Sequence, residues 1–525
     1  MSTQQLEYTP LDEIDRKIQR SVDYYHNRQR NLAQVRNPSK HDLQFRELQL
    51  KKLYYAVKDN EQEIVKALQA DFHRSPLETI GLEYCKLVGD ILNMLKGLKK
   101  WVKPEKVADN SPPFMFGKIV IEKASLGSVL VISPFNFPVM LGLTPVAGAI
   151  AGGNSVILKP SELTPCSARI CEKIIREANL DENLVQIVQG AVPETTRLLE
   201  CGKFSKIFYT GSPAVGSIVA EKAAKSLTPC VLELGGKSPV YITENFSNMK
   251  IETALKRIYF GKFGNAGQIC VAPDYMLVHE SKYEVVLQVA KKLLEEFWPG
   301  FNQNTDYTHM VNFKAYSNTV QKLKTTKGQV YTPNFAEPDE ISLCIPPSVI
   351  SNVDWADPLM MEENFGPVLP LIKYSNLDDA LDNVIKYHDT PLVQYIFSDS
   401  KADIDHILTR VRSGDCLIGD TMMHVGINNA PFGGIGNSGY GSYGGVFSFK
   451  AFTHERIVFK QPFWMDFLLT MRYPPFTESK LKLMKLASEP QPWFNRDGTD
   501  KLSYKKVLAI SSMIVLTAYI VNGLQ

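Results

Sequence analysis

Residues 127–216 repeat one pattern four times: a short apolar run, a loop, and a segment able to form a helix. The four apolar runs are residues 127–132, 155–158, 185–188 and 206–210. Short uninterrupted apolar runs are typical of strands that are covered on both faces. Parallel neighbours also need helical crossovers between them. The repeat therefore predicts an α/β fold with a doubly wound parallel sheet, which binds its ligand at the carboxyl ends of the strands.

The rest of the chain divides into regions of different character. Apolar residues at helical spacing predict a mainly helical region over residues 11–105, and prolines at 104, 112 and 113 end it. A second α/β stretch runs from after residue 270 to about residue 415. A chain of 525 residues has room for two or three domains or for one large α/β unit.

Composition excludes several classes of function. The net charge of +2 gives no electrostatic argument for nucleic-acid binding. The eight cysteines are scattered without a C-x-x-C pair, which opposes a disulfide framework and fits a reducing compartment. The nine histidines form no H-E-x-x-H motif. We therefore expect no metal site.

The C-terminal segment is the one candidate for membrane attachment. Residues 507–521 carry no charge and follow three lysines, at 501, 505 and 506. Such a helix spans about 22 Å, less than the roughly 30 Å of a hydrocarbon core. Including residues 504–524 with snorkelling lysines nearly closes the gap. The segment predicts a tail anchor with its basic flank in the cytosol, and the alternative is a buried terminal helix.

The stretch 260–274, F-G-K-F-G-N-A-G-Q-I-C-V-A-P-D, is the strongest candidate for a reactive site. It presents Cys270 after three glycines that let the backbone approach a bound molecule. Upstream, V-L-E-L-G-G-K places Glu233 at the end of an apolar run. A thiol and a carboxylate together suggest covalent catalysis followed by hydrolysis. Taken singly, such a cysteine is more often a small buried hydrophobe and such a glutamate a solvated side chain.

No G-x-G-x-x-G sequence lies at a strand-to-helix turn, so the ordinary dinucleotide fingerprint is absent. Residues 211–216, G-S-P-A-V-G, have a different spacing. They still form a turn into a helix N-terminus, where a pyrophosphate is stabilised by free N–H groups. This signal is weak by itself, because a tight turn has the same composition.

Seven motifs in order resemble the aldehyde dehydrogenase superfamily. They are P-F-N-F-P (134–138), L-K-P-S-E (158–162), F-Y-T-G-S (208–212), E-L-G-G-K (233–237), G-Q-I-C (267–270), E-E-N-F-G-P (362–367) and P-F-G-G-I-G-N-S-G (431–439). The resemblance covers roughly residues 40–460. A-P-D-Y (272–275) and G-N-S-G-Y-G-S-Y (436–443) are similar to the class 3 branch, and the apolar tail is similar to its membrane-bound fatty aldehyde dehydrogenases, particularly the fungal ones.

The resemblance implies a catalytic role for three residues. Cys270 is the implied nucleophile, which attacks the aldehyde carbon as a thiolate. Asn136 and the backbone N–H of Cys270 are the implied oxyanion donors, typically worth about 3 kcal/mol each in a transition state. Glu233 is the implied base that activates water to hydrolyse the thioester.

The resemblance also implies a cofactor site for NAD. Lys159 and Glu162 are placed at the adenosine ribose, and the residues Gly211, Ser212 and Gly216 at the pyrophosphate. Glu363 is implied to hold the nicotinamide ribose, with Phe365 packed near the ring. Because Glu162 repels a 2′-phosphate, we expect NAD to be preferred over NADP.

The resemblance gives the chain a domain plan. It implies an NAD-binding domain at 1–234 with a small β oligomerisation hairpin near 112–128, a catalytic domain at 235–430, and a return segment at 431–460. An amphipathic membrane-proximal region at 461–500 and a transmembrane tail anchor at 504–524 follow. The expected protein is a homodimer with its catalytic body in the cytosol, attached to the mitochondrial outer membrane, the endoplasmic reticulum or a lipid droplet.

Three departures from the family pattern affect the substrate and leave the reaction unchanged. Phe135 replaces a common tryptophan, Ile269 a common threonine, and Ser212 the asparagine of several relatives. The expected substrates are medium- to long-chain aliphatic aldehydes, with aromatic aldehydes such as 4-hydroxybenzaldehyde as the alternative. Acyl transfer to coenzyme A and a non-catalytic membrane scaffold are the other hypotheses. The aromatic segment 462–476 is either a packed interface or an element that lies on the bilayer.

Overall fold

The computed structural model describes residues 6–109, 114, 116–302 and 305–501. The α-helices in these ranges are α1 Leu11–Gln34, α2 Pro38–Asp59, α3 Glu61–Phe72, α4 Pro76–Glu78, α5 Cys85–Trp101, α6 Met140–Gly152, α7 Pro165–Glu177, α8 Val192–Glu200, α9 Pro213–Ala224, α10 Ile251–Phe263, α11 Glu280–Phe297, α12 Phe313–Thr325, α13 Pro358–Met361, α14 Leu377–His388, α15 Lys401–Arg410, α16 Val446–Ala451 and α17 Glu478–Ser488. The strands are β1 Glu105–Val107, β2 Lys118–Ser125, β3 Ser128–Ile132, β4 Ser155–Lys159, β5 Val185–Ile187, β6 Lys206–Gly211, β7 Cys230–Leu234, β8 Pro239–Ile242, β9 Tyr275–His279, β10 Gln329–Tyr331, β11 Ser348–Ser351, β12 Val368–Tyr374, β13 Val393–Phe397, β14 Asp415–Ile418, β15 Gly439–Tyr440 and β16 Thr453–Lys460.

The four predicted strands are β3 to β6, and each leads into a helix as predicted. They form a six-stranded sheet in the order β15-β7-β6-β3-β4-β5, parallel except for β15. Alternate residues of β3 belong to different cores. Val129 and Val131 lie in the large core that includes α6, whereas Leu130 packs with Ile14 and Ile18 of α1. Both faces are therefore buried, which explains the uninterrupted apolar run.

The direction of winding changes at the centre of this sheet. β3 is flanked by β4 on one side and by β6 on the other, so the loops that follow β3 and β6 diverge. Ligands of doubly wound sheets bind at the carboxyl ends of the strands at this point. The loops 133–138 and 211–212 meet this edge.

A second sheet holds seven strands in the order β10-β11-β12-β9-β8-β13-β14. All of its pairs are parallel except β10 with β11. The segment 235–238 leads from β7 of the first sheet to β8 of the second. Cys270 lies between α10 and the central strand β9, so the candidate nucleophile is placed by the middle of this sheet.

Among the described residues, 104–109, 114, 116–122 and 456–501 belong to a second compact unit. A three-stranded sheet has the order β1-β2-β16, and β1 pairs with β2 in the antiparallel direction. The strand β2 lies in the region near residues 112–128, where an oligomerisation hairpin stays a prediction. A 3₁₀ helix, Phe463–Arg472, and α17 follow β16. Several large apolar side chains here are exposed: Phe463, Phe476, Leu486 and Trp493.

Among the helices that the structure describes, none has the length and apolar character needed to cross a bilayer. The predicted tail anchor, residues 504–524, lies outside the described residues.

Candidate active site

Cys270 lies at the end of a tight loop after α10. Asn265 and Ala266 have φ of 50° and 51°, and Gly267 has φ of 72°. A Cβ on Gly267 would collide with the carbonyl oxygen of Gly366, so this position requires glycine. Burial raises the pKa of the Cys270 thiol to about 12, and nearby carboxylates contribute in the same direction. The thiol is therefore protonated near neutral pH and must lose its proton before it attacks.

Asn136, the predicted oxyanion donor, follows β3 and lies beside the cysteine loop. Its Nδ2 donates to the carbonyl oxygen of Gln268 at 3.1 Å, two residues before Cys270 along the chain. A side-chain amide nitrogen carries two hydrogens, so a second one is available to a substrate oxygen. The structure thus brings the predicted oxyanion donor and the predicted nucleophile to one place.

A buried guanidinium fixes this arrangement. Arg74 is fully buried, and its NH2 donates to the backbone oxygen of Asn136 at 2.6 Å. Its Nε and NH2 both donate to Oδ1 of Asn265, at 3.0 and 2.6 Å. NH1 pairs with Glu83 at 2.6 Å, and the other oxygen of Glu83 accepts two backbone N–H groups at the start of α6. One arginine therefore joins the loop after β3 to the loop before Cys270.

Replacement of Arg74 tests this network. Arg74→Met leaves the buried carboxylate of Glu83 without its cation, and we expect a loss of about 3–5 kcal/mol in the free energy of unfolding. Urea unfolding measures this loss. The double variant Arg74→Met/Glu83→Gln is the control, because it removes the buried charge as well and should recover part of the stability. A double variant that loses the sum of both single effects would contradict a charge-pairing role.

Glu233, the predicted base, is in β7, opposite Thr210 on one side and Gly439 on the other. It is 4% exposed, and within the described part of the chain neither carboxylate oxygen has a hydrogen-bond partner. Burial raises the pKa of this carboxyl well above its ordinary value, and the charge of Asp415 adds to the effect. A buried carboxyl without fixed partners can take up and release a proton, as a base for water must.

Glu363 and Phe365 lie on the loop 362–367. The backbone N–H of Gly236 donates to the Glu363 carboxylate, while burial raises the pKa of that carboxyl to about 8. The ring of Phe365 meets Phe135 edge to face at 5.7 Å, and Phe135 stacks on Phe72 at 6.4 Å. The residue that replaces the common tryptophan is therefore the centre of an aromatic wall.

A buried ion pair beneath this loop holds it in place. Lys237 pairs with Asp274, and its Nζ also donates to the backbone oxygens of Leu359 and Glu362 at 2.8 and 3.0 Å. Asp274 in turn accepts the backbone N–H of Asn364 at 2.8 Å. The loop that carries Glu363 is thus fixed to the segments that flank Glu233 and Cys270.

The other predicted cofactor residues lie at the carboxyl edge of the six-stranded sheet. Lys159 is the last residue of β4, and its Nζ is 2.6 Å from Oε2 of Glu162. Gly211 ends β6, and Ser212 caps α9 by accepting the N–H of Val215 at 3.4 Å. A serine can supply this cap as asparagine does, which explains why the chain tolerates the departure at Ser212.

Gly216 is in the first turns of α9. A Cβ there would lie 2.6 Å from Cδ2 of Leu234 in β7, so glycine lets the helix approach the sheet closely. The N-terminal N–H groups of α9 consequently lie near the strand ends, in the position that suits a pyrophosphate.

The sequence matches the aldehyde dehydrogenase family over residues 17–458. The chain belongs to this family. It is 54% identical to the fatty aldehyde dehydrogenase HFD1 of Saccharomyces cerevisiae, with 98% of this chain and 97% of that protein covered. It is 36% identical to aldehyde dehydrogenase family 3 member A2 of Mus musculus, with 90% and 95% covered. The solved substrate-bound state of Staphylococcus aureus AldH superposes with a TM-score of 0.83 at 36% identity, covering 90% of this chain and 99% of that one.

Several residues that hold the site of this aldehyde dehydrogenase were not singled out from its sequence. Asn265 and Gln268 lie inside the stretch 260–274 around Cys270, so the motif indicated the region in which they act. Arg74 stands in a helical region without any motif, and no local pattern marks it. Among the described residues, no group of three or more His, Cys, Asp or Glu side chains that could hold a metal ion occurs.

Proposed function

We propose that this aldehyde dehydrogenase oxidises medium- and long-chain aliphatic aldehydes to fatty acids with NAD. The observation that carries the proposal is the buried carboxylate of Glu233, which has no hydrogen-bond partner among the described residues and lies in the same site as the thiol of Cys270. Oxidation followed by hydrolysis needs this pair of groups. The substrate class rests on the relative from Saccharomyces cerevisiae, which is named a fatty aldehyde dehydrogenase and is 54% identical over almost the whole chain.

In this proposal Cys270, as its thiolate, forms a C–S bond to the aldehyde carbon, and the π electrons of the carbonyl move onto its oxygen. The oxygen of the adduct accepts hydrogen bonds from Nδ2 of Asn136 and from the backbone N–H of Cys270. When NAD is bound, it supplies the hydride acceptor through which the adduct becomes a thioester. Glu233 then takes a proton from water as the water oxygen attacks the thioester carbon. The C–S bond breaks, the acid leaves, and the thiolate is regenerated.

The residues at the sheet edge fit a dinucleotide. Lys159 and Glu162 would hold the adenosine ribose, the start of α9 the pyrophosphate, and Glu363 the nicotinamide ribose. The negative charge of Glu162 repels a 2′-phosphate, which supports NAD over NADP.

An aromatic aldehyde is the second candidate substrate. Phe135 stacks on the buried Phe72 and meets Phe365 edge to face, so Phe135 and Phe365 form an aromatic wall suited to a substrate ring. The compound 4-hydroxybenzaldehyde is the test substrate for this class.

A comparison of initial rates of NADH formation with hexadecanal and with 4-hydroxybenzaldehyde separates the two classes. The aliphatic proposal expects a kcat/KM for hexadecanal at least about tenfold higher, since each buried CH₂ contributes about 0.8 kcal/mol. A higher value for the aromatic aldehyde would favour the second candidate and leave the reaction chemistry unchanged.

We also propose that the protein is a homodimer, tail-anchored through residues 504–524 in the mitochondrial outer membrane or the endoplasmic reticulum, with its catalytic body in the cytosol. The exposed Phe463, Phe476, Leu486 and Trp493, together with the lysines of α17, suit a bilayer surface. We expect the full chain to float with anionic liposomes and a chain that ends at residue 500 to bind them weakly and in a salt-dependent way. Full-length protein that stays in the soluble fraction would refute the anchor, and light scattering tests the dimer.

A further inference from the structure

The orientation of the Asn136 carboxamide decides whether this group can stabilise an oxyanion. Only its nitrogen end can donate a hydrogen bond to the aldehyde oxygen, and its oxygen end would repel that atom. Asn136 is 3% exposed, and its Nδ2 donates one hydrogen to the backbone oxygen of Gln268 at 3.1 Å. A carbonyl oxygen can accept only from the nitrogen end. The Gln268 carbonyl therefore selects the orientation that leaves the second hydrogen of Nδ2 for the substrate.

Asn265 contacts both groups on which this orientation depends. It is fully buried, and its Nδ2 donates to the backbone oxygen of Asn136 and to the backbone oxygen of Gln268, both at 3.1 Å. One amide nitrogen thus connects the main chain of the oxyanion donor with the carbonyl that orients its side chain. Since a carbonyl oxygen has two lone pairs, Asn136 and Asn265 together occupy both accepting positions of the Gln268 oxygen.

The amide of Asn265 is itself held in one orientation. Its Oδ1 accepts from Nε and NH2 of Arg74, at 3.0 and 2.6 Å. A guanidinium carries donors and no acceptor, so it can face only the oxygen end of the amide. The main chain of Asn265 is fixed as well, because its N–H donates to Oε1 of Glu78 at 3.0 Å. Its φ of 50° is in the left-handed region, which asparagine tolerates better than most residues.

We propose that Asn265 is the positioning residue of the oxyanion site. Its carboxamide holds Asn136 so that the remaining N–H of Nδ2 meets the oxygen of the bound aldehyde. Asn265 touches no reacting atom and acts through Asn136. Charge develops on the aldehyde oxygen as Cys270 forms the C–S bond, and a donor that is already in place does not have to reorient at that step. The inference rests on the proposed role of Asn136 as an oxyanion donor.

Asn265→Asp, made in the full chain, tests this role. The aspartate keeps the shape of the side chain and an oxygen for Arg74, but its second oxygen replaces Nδ2 and repels the two backbone oxygens. With enzyme in excess over octanal and saturating NAD, we expect the single-turnover rate of NADH formation to fall about 10²-fold, as for the loss of an oxyanion donor. The dissociation constant of NAD should stay unchanged, because Asn265 contacts none of the proposed NAD-binding residues.

A double-mutant cycle separates positioning from a general effect on the fold. Asn136→Ala removes the donor itself and should slow the single turnover at least as much as Asn265→Asp does. The double variant Asn136→Ala/Asn265→Asp should be no slower than Asn136→Ala, because no side-chain amide is left to position. Fold losses that multiply in the double variant would overturn the proposal. A normal rate in Asn136→Ala would instead remove the proposed oxyanion donor, and the inference with it.

Asn154 is the matched control, because it is 1% exposed and its amide has the same pattern of two bonds at each end. Its Oδ1 accepts two backbone N–H groups, at 2.7 and 3.0 Å, and its Nδ2 donates to two backbone oxygens, at 3.0 and 2.8 Å, the partners being Leu126, Gly127, Ala149 and Phe452. Asn154→Asp should lower the thermal midpoint and leave the single-turnover rate unchanged. An equal loss of rate in Asn154→Asp would overturn the proposal, since the effect would then belong to any buried amide.

A second variant keeps the test decisive if Asn265→Asp does not fold. Asn265→Gly removes the whole amide, and glycine adopts the φ of 50° without strain. We expect the same loss of single-turnover rate, again absent in the Asn136→Ala background. A folded variant at residue 265 that forms NADH at the rate of the parent enzyme would overturn the proposal.

Discussion

Cys270→Ser is expected to lower kcat by about 10⁴-fold or more with any aldehyde. A serine hydroxyl has nearly the shape of the thiol, but it is a much weaker acid and a poorer nucleophile. The surroundings of Cys270 strengthen this expectation, because burial already raises the pKa of the thiol to about 12 and would disfavour an alkoxide even more. NADH formation at saturating aldehyde measures the effect.

The exposed Cys85 provides the matched control. Cys85→Ser changes the same atom on an exposed side chain and should leave kcat and the thermal midpoint unchanged. Cys270→Ser should also keep its thermal midpoint and its affinity for NAD, since the thiol makes few packing contacts that a hydroxyl cannot make. A Cys270→Ser protein that retains a tenth of the activity would refute covalent catalysis through this residue.

Glu233→Gln is expected to separate the two halves of the reaction. The amide has the shape of the carboxylate but cannot take a proton from water, so thioester hydrolysis should slow by about 10²- to 10⁴-fold. Hydride transfer does not need the base, and a burst of about one NADH per active site should therefore precede a very slow steady state. Stopped-flow absorbance measures both phases.

The pH profile gives an independent check on Glu233. The base acts in its ionised form, and burial raises its pKa well above the ordinary value. Hydrolysis should accordingly rise with pH through this raised pKa and level off above it. The Glu233→Gln enzyme should lack this limb and retain the one that belongs to the Cys270 thiol. A Glu233→Gln enzyme that forms no burst would contradict the division of roles.

The sequence was sufficient to predict the sheet and the class of reaction, the oxidation of an aldehyde. The strands β3 to β6 are buried on both faces, and this burial requires an uninterrupted run of mostly apolar residues. Such a run can be recognised within one short segment of the sequence. Because all of these strands run parallel, the loops that carry Asn136 and Ser212 had to meet at one edge. The roles of the individual residues at that edge stay predictions that the variants above test.

The residues that hold the site together could not be predicted in the same way. Arg74 reaches Asn136 across 62 positions of sequence and Asn265 across 191. Such contacts leave no periodic pattern, since each depends on one side chain and on the finished fold.

The departures from the family pattern were expected to affect the choice of substrate, and for Phe135 the structure shows the neighbouring side chains. The Phe135 ring contacts both Phe72 and Phe365. A change of ring size at residue 135 would therefore alter packing on both sides of this wall.

The pairing of Gly439 with Glu233 has a consequence for how the protein is made. During synthesis β7 emerges early, but the strand that completes its outer edge, β15, follows about 200 residues later. Until then the nascent chain exposes an unpaired strand edge that includes the future base, and exposed edges invite pairing with other chains. When β15 pairs with β7, this exposed strand edge is removed. We therefore expect a ribosome-bound chain stalled before residue 439 to bind more chaperone than one stalled after residue 455.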